Sequence, residues 1–224
     1  MSGRVGSITT DIIADGLVFN FDAANRACYP KTGTTATDTI NSINSTLNGA
    51  TFLTTNNGVF NLDGIDDKIT ITSNAKYNQL GTGPWTFSIF MKKTATTGGG
   101  QYDGIFYLSN TNRLKFQASN QVVFLEIGNS DLELFDYGSS MLHSWHQITV
   151  VREDNGNALG YVDGVLKGTT SYSGKSFSDS NNMLIGQNVY YLPTEIGNFQ
   201  FYNRALSANE VLHNYNALRG RFGL

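Results

Sequence analysis

Asp63, Asp66 and Asp67 form the densest set of groups in the sequence that could do chemistry. Hard cations such as Ca²⁺ take about six to eight oxygen ligands, and carboxylates gathered at a turn can supply them. The competing reading makes Asp63-Gly64 a tight turn and leaves Asp66 and Asp67 as a solvated corner or strand start. A second set, Asp131-Leu132-Glu133, puts two carboxylates on one face of a strand. Glycosidic cleavage uses two carboxylates about 5–10 Å apart across the bond. A single i,i+2 pair, with Glu126 too far upstream, falls short of that. His143, His146 and His213 have neither metal spacing nor triad spacing to a nucleophile. The single cysteine, Cys28, has no His near it in sequence and no partner for an internal disulfide, and reads as a small buried hydrophobe. No catalytic residue is expected, and the chain reads as a non-enzyme.

Sugar recognition calls for an exposed aromatic ring beside polar groups. Tyr190, Tyr191 and Glu195 lie in one expected loop, Tyr102 and Asp103 in another, and Tyr137 in a third. Trp85 and Trp145 fall within strands and are expected in the core. The ends carry candidate docking residues: Ile12 and Ile13 in an arm over 1–15, and Arg219, Arg221 and Phe222 in a tail over 217–224. A free tail gains nothing from Phe, whereas a docked one buries it, so these residues are expected to meet other proteins or sister copies. The alternative is that they fold back on their own domain.

The elements that must position these groups are short strands. Charged residues make up only 15% of the chain, and there are 24 glycines against three prolines, a balance of many strands and tight turns. Leu17, Phe19 and Phe21 share one face, and Trp85, Phe87, Ile89 and Met91 alternate with Thr86, Ser88 and Lys92; only Phe90 breaks that pattern. Asp163-Gly164 suits a two-residue hairpin turn. The segment from Ala23 to Thr55 reads mostly as loop. Ser207-Ala208-Asn209-Glu210 has capping-box spacing, and Val211, Leu212, Tyr215 and Leu218 come next as a helical apolar stripe expected to pack on a sheet. A net charge of −3 with no basic run argues against nucleic acid. No apolar stretch approaches a membrane span of about eighteen residues, and no secretory signal is read at the start. Synthesis in a host cytoplasm is expected.

The segments Tyr161-Val162-Asp163-Gly164, Phe60-Asn61-Leu62-Asp63-Gly64-Ile65-Asp66-Asp67 and Tyr202-Asn203-Arg204-Ala205-Leu206-Ser207 through Glu210 resemble, in order and spacing, the LamG-like, concanavalin A-like jelly-roll family. The resemblance covers roughly residues 16–216. It implies an all-β, two-sheet antiparallel jelly-roll sandwich with one short C-terminal helix. Members often hold a structural calcium at the sheet rim, yet where many relatives have a later acid this chain has Gly197-Asn198, so no cofactor is expected. The glucanase branch carries Glu-x-Asp-x-(x)-Glu on one strand, which this chain lacks. The ends, Asp15-Gly16-Leu17-Val18 with Tyr29-Pro30 and Asn214-Tyr215-Asn216-Ala217-Leu218-Arg219-Gly220-Arg221-Phe222, resemble stand-alone LamG-like proteins of tailed bacteriophages. That likeness implies a virion component with other virion proteins and itself as partners: a capsid decoration or tail-associated structural protein. The alternative expectation is a carbohydrate-binding module for adsorption to a glycan.

Overall fold

The computed structural model describes residues 11–96, 102–117, 121–188 and 190–224. Two long strands, Trp85–Lys93 and Thr194–Tyr202, run antiparallel at the centre of the first sheet. Outward from Trp85–Lys93 come Trp145–Arg152, Asn157–Val162 and Val165–Ser171. The far edge of Thr194–Tyr202 holds two partners, Val59–Leu62 along its first half and Leu17–Asp22 along its second, and Thr51–Leu53 lies beyond the former. The second sheet runs in the order Ser130–Asp136, Val122–Ile127, Asn112–Phe116, Asp103–Ser109, Met183–Ile185, Lys68–Ile71, Asn44–Asn48, Thr35–Thr37. Its neighbours are antiparallel throughout. The all-β sandwich read from the sequence is the architecture found. Ala23 to Thr55 departs from expectation, because it contributes three of these strands, Thr35–Thr37, Asn44–Asn48 and Thr51–Leu53, rather than loop alone.

Period-2 alternation explains the core. Trp85, Phe87, Ile89 and Met91 face the second sheet together with Phe199 and Phe201, and all are buried. Phe87 meets Phe106 of the opposite sheet edge-on at 4.9 Å, and Phe21 stacks on Phe199 at 4.5 Å. The hairpin turn is as expected: Asp163 and Gly164 both have positive φ, 53° and 77°, which the tight turn demands.

The outer face of the first sheet is also covered, which the alternation did not suggest. Thr86 and Ser88 are buried there, Ser88 sharing a hydroxyl hydrogen bond with Thr149 at 2.9 Å. Phe90, the residue out of pattern, lies under Phe222, with rings stacked at 4.6 Å, and Phe222 packs on Trp145 at the same distance. Trp145 is therefore buried beneath the tail rather than between the sheets. The helix Ala208–Leu218 forms the rest of the cover and begins with the expected capping box, Ser207 accepting from the Glu210 amide and Glu210 from the Ser207 amide. Its buried residues are Val211 and Asn214, whereas Leu212 is 43% exposed at the margin, against Gly164 of the hairpin turn. The stripe is thus rotated from the expected one.

These contacts correct the docking expectation for Ile13, Arg221 and Phe222. Phe222 is buried against its own sheet, and Arg221 donates to Asp22 Oδ1 at 2.6 Å, to the Asn56 carbonyl at 2.6 Å and to the Gly58 carbonyl. Ile13 packs among Tyr202, Leu206 and Val211, and its backbone is held by Asn214 and the Tyr202 hydroxyl. Ile12 is half-buried, and Arg219 is exposed with its guanidinium over Tyr215 at 5.7 Å. The sheet's apolar outer face needs a cover, and these end residues supply it. Residues 1–10 of the arm lie outside the described residues.

Two measurements check this layer. Phe222→Ala removes the ring shared by Phe90 and Trp145 and is expected to cost about 3 kcal/mol in denaturant melts; an unchanged midpoint would mean that the tail is not docked. Glu210 is held down to about 2, first by hydrogen bonds from Arg204 and then by those from Ser207. Its folded value lies below its unfolded one, so its stabilisation is present above the unfolded carboxylate range and lost as pH falls towards about 2. Solvent screening keeps it to about 1 kcal/mol at neutral pH. Glu210→Gln should lower stability at pH 7 and flatten the acid limb of the stability profile.

Candidate functional site at the loop-bearing end

The sequence-predicted sugar and metal residues come from distant segments, and strand register brings them to one end of the sandwich. Lys93 lies opposite Thr194, Thr194 opposite Leu62, and Trp145 opposite Lys92, so the ends of these strands coincide. In the second sheet Phe116 faces Asp103 and Val122 faces Asp136. The two sheets are joined at that end by an ion pair between Lys93 and Asp103, with side chains 1% and 0% exposed. The Lys93 ammonium also lies over the Phe116 ring at 5.4 Å. Burial pushes Lys93 below its usual range, with Asp103 working against that shift. A buried pair of this kind is costly to break from one side, because it leaves an uncompensated charge.

Asp103 is therefore not the loop-borne glycan ligand the sequence suggested. It starts a strand, is fully buried, and is used in holding the sheets together. Its neighbour Gly104 lies so close to the Gln187–Asn188 backbone that a Cβ would sit 2.3 Å from the Gln187 carbonyl carbon. That close approach fixes the segment after it, where Tyr190 bridges to Asp103 and Tyr191 to Gln187.

The four tyrosines differ in their settings. Tyr190 is 37% exposed. Tyr191 is half-buried, with the Lys68 ammonium over its ring at 5.7 Å. Tyr102 packs edge-on against Phe124 at 5.3 Å and lies under Lys115 at 4.3 Å. Tyr137 packs against His146 at 5.3 Å, with Lys167 over it at 5.3 Å. His146 is in turn oriented by Asp163, Nδ1 to Oδ2 at 2.7 Å. Glu195 pairs with Lys92 at 2.8 Å. The lysines and Phe124 were missed in the sequence because nothing local places them; only register puts them beside the rings.

The acidic corner adjoins this end, since Gly64 packs against Pro193 of the Tyr190–Tyr191 loop. Ligand oxygens of Asp63, Asp66 and Asp67 lie within 4.8 Å of one another. Asp63 Oδ1 already accepts the amides of Ile65 at 2.7 Å and Asp66 at 3.3 Å, and Asp67 Oδ2 accepts that of Asp63 at 3.0 Å. This is a self-satisfied Asx turn. Three carboxylates with two oxygens so engaged do not make the larger oxygen shell that Ca²⁺ takes, so the residues do not fit a closed calcium site.

Glu126 also moves from its expected place. The hairpin register sets it directly opposite Asp131, and Lys115 bridges the two, at 2.6 Å from Asp131 and 3.8 Å from Glu126. Arg113 adds a bond of 2.6 Å to Glu126. The cluster is a salt-bridged network on the outer face of the second sheet. It lacks the open gap between an acid and a base that glycoside hydrolysis uses.

A family model described as "Concanavalin A-like lectin/glucanases superfamily" matches residues 63–212. The chain belongs to this superfamily. Solved structures agree on the fold. The binding domain of botulinum neurotoxin serotype D superposes with a TM-score of 0.69 at 17% identity, over 90% of this chain and 52% of that one. The binding domain of Paraclostridial Mosquitocidal Protein 1 gives 0.71 at 14%, over 90% and 52%. Trypanosoma rangeli sialidase gives 0.66 at 16%, over 89% and 32%. The chain thus spans about half, or less, of the proteins it resembles. No curated protein matches its sequence. Within the superfamily the fold carries many activities, so function rests on the site.

Asp67 supplies the test of the corner. It is raised above its usual range by burial first, with Asp63 and Asp66 adding to the shift. Its folded value exceeds its unfolded one, so its contribution is favourable below the unfolded value and lost as pH rises through the folded one. Asp67→Asn keeps an acceptor for the Asp63 amide and is expected to raise stability at pH 7 by up to about 1 kcal/mol. EDTA should leave the melting temperature of the parent protein unchanged; a marked drop that Asp67→Asn abolishes would show a bound metal.

Proposed function

We propose that this protein is a non-catalytic, lectin-like module that binds glycans through its loop-bearing end. The observation that carries the reading is the placement of Tyr102, Tyr137, Tyr190 and Tyr191, from three separate loops, at the end fixed by the Lys93–Asp103 pair. Tyrosine rings offer apolar faces to sugar C–H groups, and hydroxyls and amines beside them hold sugar hydroxyls. The similar folds add support: two are binding domains, and one neurotoxin structure contains N-acetylneuraminic acid. The lysines over Tyr137 and Tyr191, Lys167 and Lys68, favour an acidic sugar over a neutral one at this end.

The finer placement is a structural accessory protein of a tailed-bacteriophage particle, on capsid or tail, with virion proteins and sister copies as partners. It is supported by the resemblance of the chain's ends to stand-alone phage proteins. Phe222 and Ile13 are turned inward, which takes these two residues out of the attachment surface in such a particle. Mass spectrometry of purified particles is expected to find the protein; its absence would sink the virion placement and leave the glycan reading untouched.

An array of sialylated and neutral glycans tests the glycan reading. A sialylated ligand is expected to bind, with Tyr190→Ala weakening it about tenfold, or about 1.4 kcal/mol, at an unchanged melting temperature. Failure of every glycan to bind would overturn this function.

A further inference from the structure

A second concavity, of about 730 Å³, opens on the outer face of the first sheet, away from the tyrosine-bearing loops. Its volume lies within the range of ligand sites, about 300–1,000 Å³. Asn20 and Asp22 of the strand Leu17–Asp22 line it together with Asn198 and Gln200 of Thr194–Tyr202. Asn216 of the helix and Arg221 of the tail line it as well, and Asp11 adds a carboxylate. Register sets Asn20 opposite Gln200 and Asp22 opposite Asn198, so the four side chains form a compact polar floor.

That floor is incompletely satisfied. Asn198 is 1% exposed, and its Oδ1 has no hydrogen-bond partner. Gln200 is equally buried as a residue, but its amide atoms are not among the buried unpaired ones. A buried amide left unpaired costs about 1–3 kcal/mol, and such groups in a native protein call for an explanation. Asp22, in contrast, is neutralised by Arg221 at 2.6 Å.

We propose that this groove is a binding site for a neutral oligosaccharide. Carboxamides both donate and accept, and so do sugar hydroxyls; a hydroxyl donated to Asn198 Oδ1 would complete its bonding. The Asp22–Arg221 pair offers one further donor–acceptor couple without favouring a charged ligand. A peptide strand would seek free backbone at a sheet edge. Here Thr194–Tyr202 is paired on both sides, and the outer edge of Leu17–Asp22 is taken by Asp38, which accepts the Asn20 amide, by Thr39, which donates to the Asn20 carbonyl, and by Asn41, which donates to the Val18 carbonyl. The site is separate from the tyrosine-bearing end and stands on its own observation.

Side-chain amide resonances of Asn198 and Gln200 in the ¹⁵N-labelled full chain would report binding. Cellotetraose, maltotetraose and chitotriose serve as probes, with tetraglycine as the peptide control. At least one sugar is expected to shift both amides saturably below about 10 mM. Asn216→Ala, at an exposed helix position, should weaken that binding about tenfold at an unchanged melting temperature. Ala217→Trp, which fills the groove, should abolish it. Absence of shifts with all three sugars would overturn the proposal. So would equal shifts with tetraglycine, or shifts that survive Ala217→Trp. Shifts that vanish in Tyr190→Ala but persist in Ala217→Trp would assign the sugar to the loop-bearing end and likewise overturn the groove.

Discussion

The constraint on which this structure depends is that the strands Trp85–Lys93 and Thr194–Tyr202 are buried on both faces. One face meets the opposite sheet, as in any sandwich. The other carries Phe90, Thr86, Ser88 and Tyr202 and would be wet and partly apolar if bare. The C-terminal segment beyond the last strand covers it with Leu206, the helix face bearing Val211 and Asn214, and Phe222. Arg204 fastens the start of this cover by gripping Glu210 with both terminal nitrogens, at 2.6 and 3.0 Å, while its Nε donates to the Asp15 carbonyl at 3.0 Å. Arg221 fastens its end. Ile13, Arg221 and Phe222 are thereby committed to the domain's own stability.

The same economy operates at the loop-bearing end, with charge in place of apolar area. Lys93 ends a strand in one sheet and Asp103 opens a strand in the other, so their pairing fixes the separation of the sheets where the loops begin. Among the described residues, loop meets loop at two points: Thr94 donates to the Pro193 carbonyl at 2.9 Å, and Gly64 abuts Pro193. Side chains set in place before a ligand arrives need less ordering on binding, which lowers the entropic cost of recognition.

How much of this could be read in the sequence depends on the range of each interaction. The capping box and the Asp163-Gly164 turn are set by residues within four positions of one another, and both appear where expected. Phe90 was visible as an exception to alternation, but its cause, Phe222, is over a hundred positions away. Val211 is buried as expected, whereas Leu212 leaves the stripe for the margin beside Gly164 of the hairpin turn and Asn214 takes a buried place, an arrangement the helix's own pattern does not carry. The strands Thr35–Thr37, Asn44–Asn48 and Thr51–Leu53 escaped because they are short and rich in Thr, Asn and Ser. They are strands through pairing with partners such as Lys68–Ile71, not through propensity. Among candidate site residues, the tyrosines could be picked out by type, whereas the burial of Asp103 and the facing of Glu126 and Asp131 are consequences of register alone.

Two surfaces of opposite character result. The loop-bearing end sets aromatic rings beside ammonium groups, at Tyr137 with Lys167 and Tyr191 with Lys68, while the Lys115 ammonium over Tyr102 is taken up by Asp131 and Glu126. The groove under the tail sets carboxamides beside a neutralised Asp22–Arg221 pair. The first suits ligands that bring negative charge and an apolar face; the second suits ligands that bring hydroxyls and no charge. Arg221 links the groove to stability, because the residue that forms part of its wall also secures the tail through Asp22 and the Asn56 carbonyl. A ligand seated against Asn198 would therefore bear on the same layer that covers Phe90. By linkage, any ligand bound there only in the native state stabilises the tail as well as filling the groove.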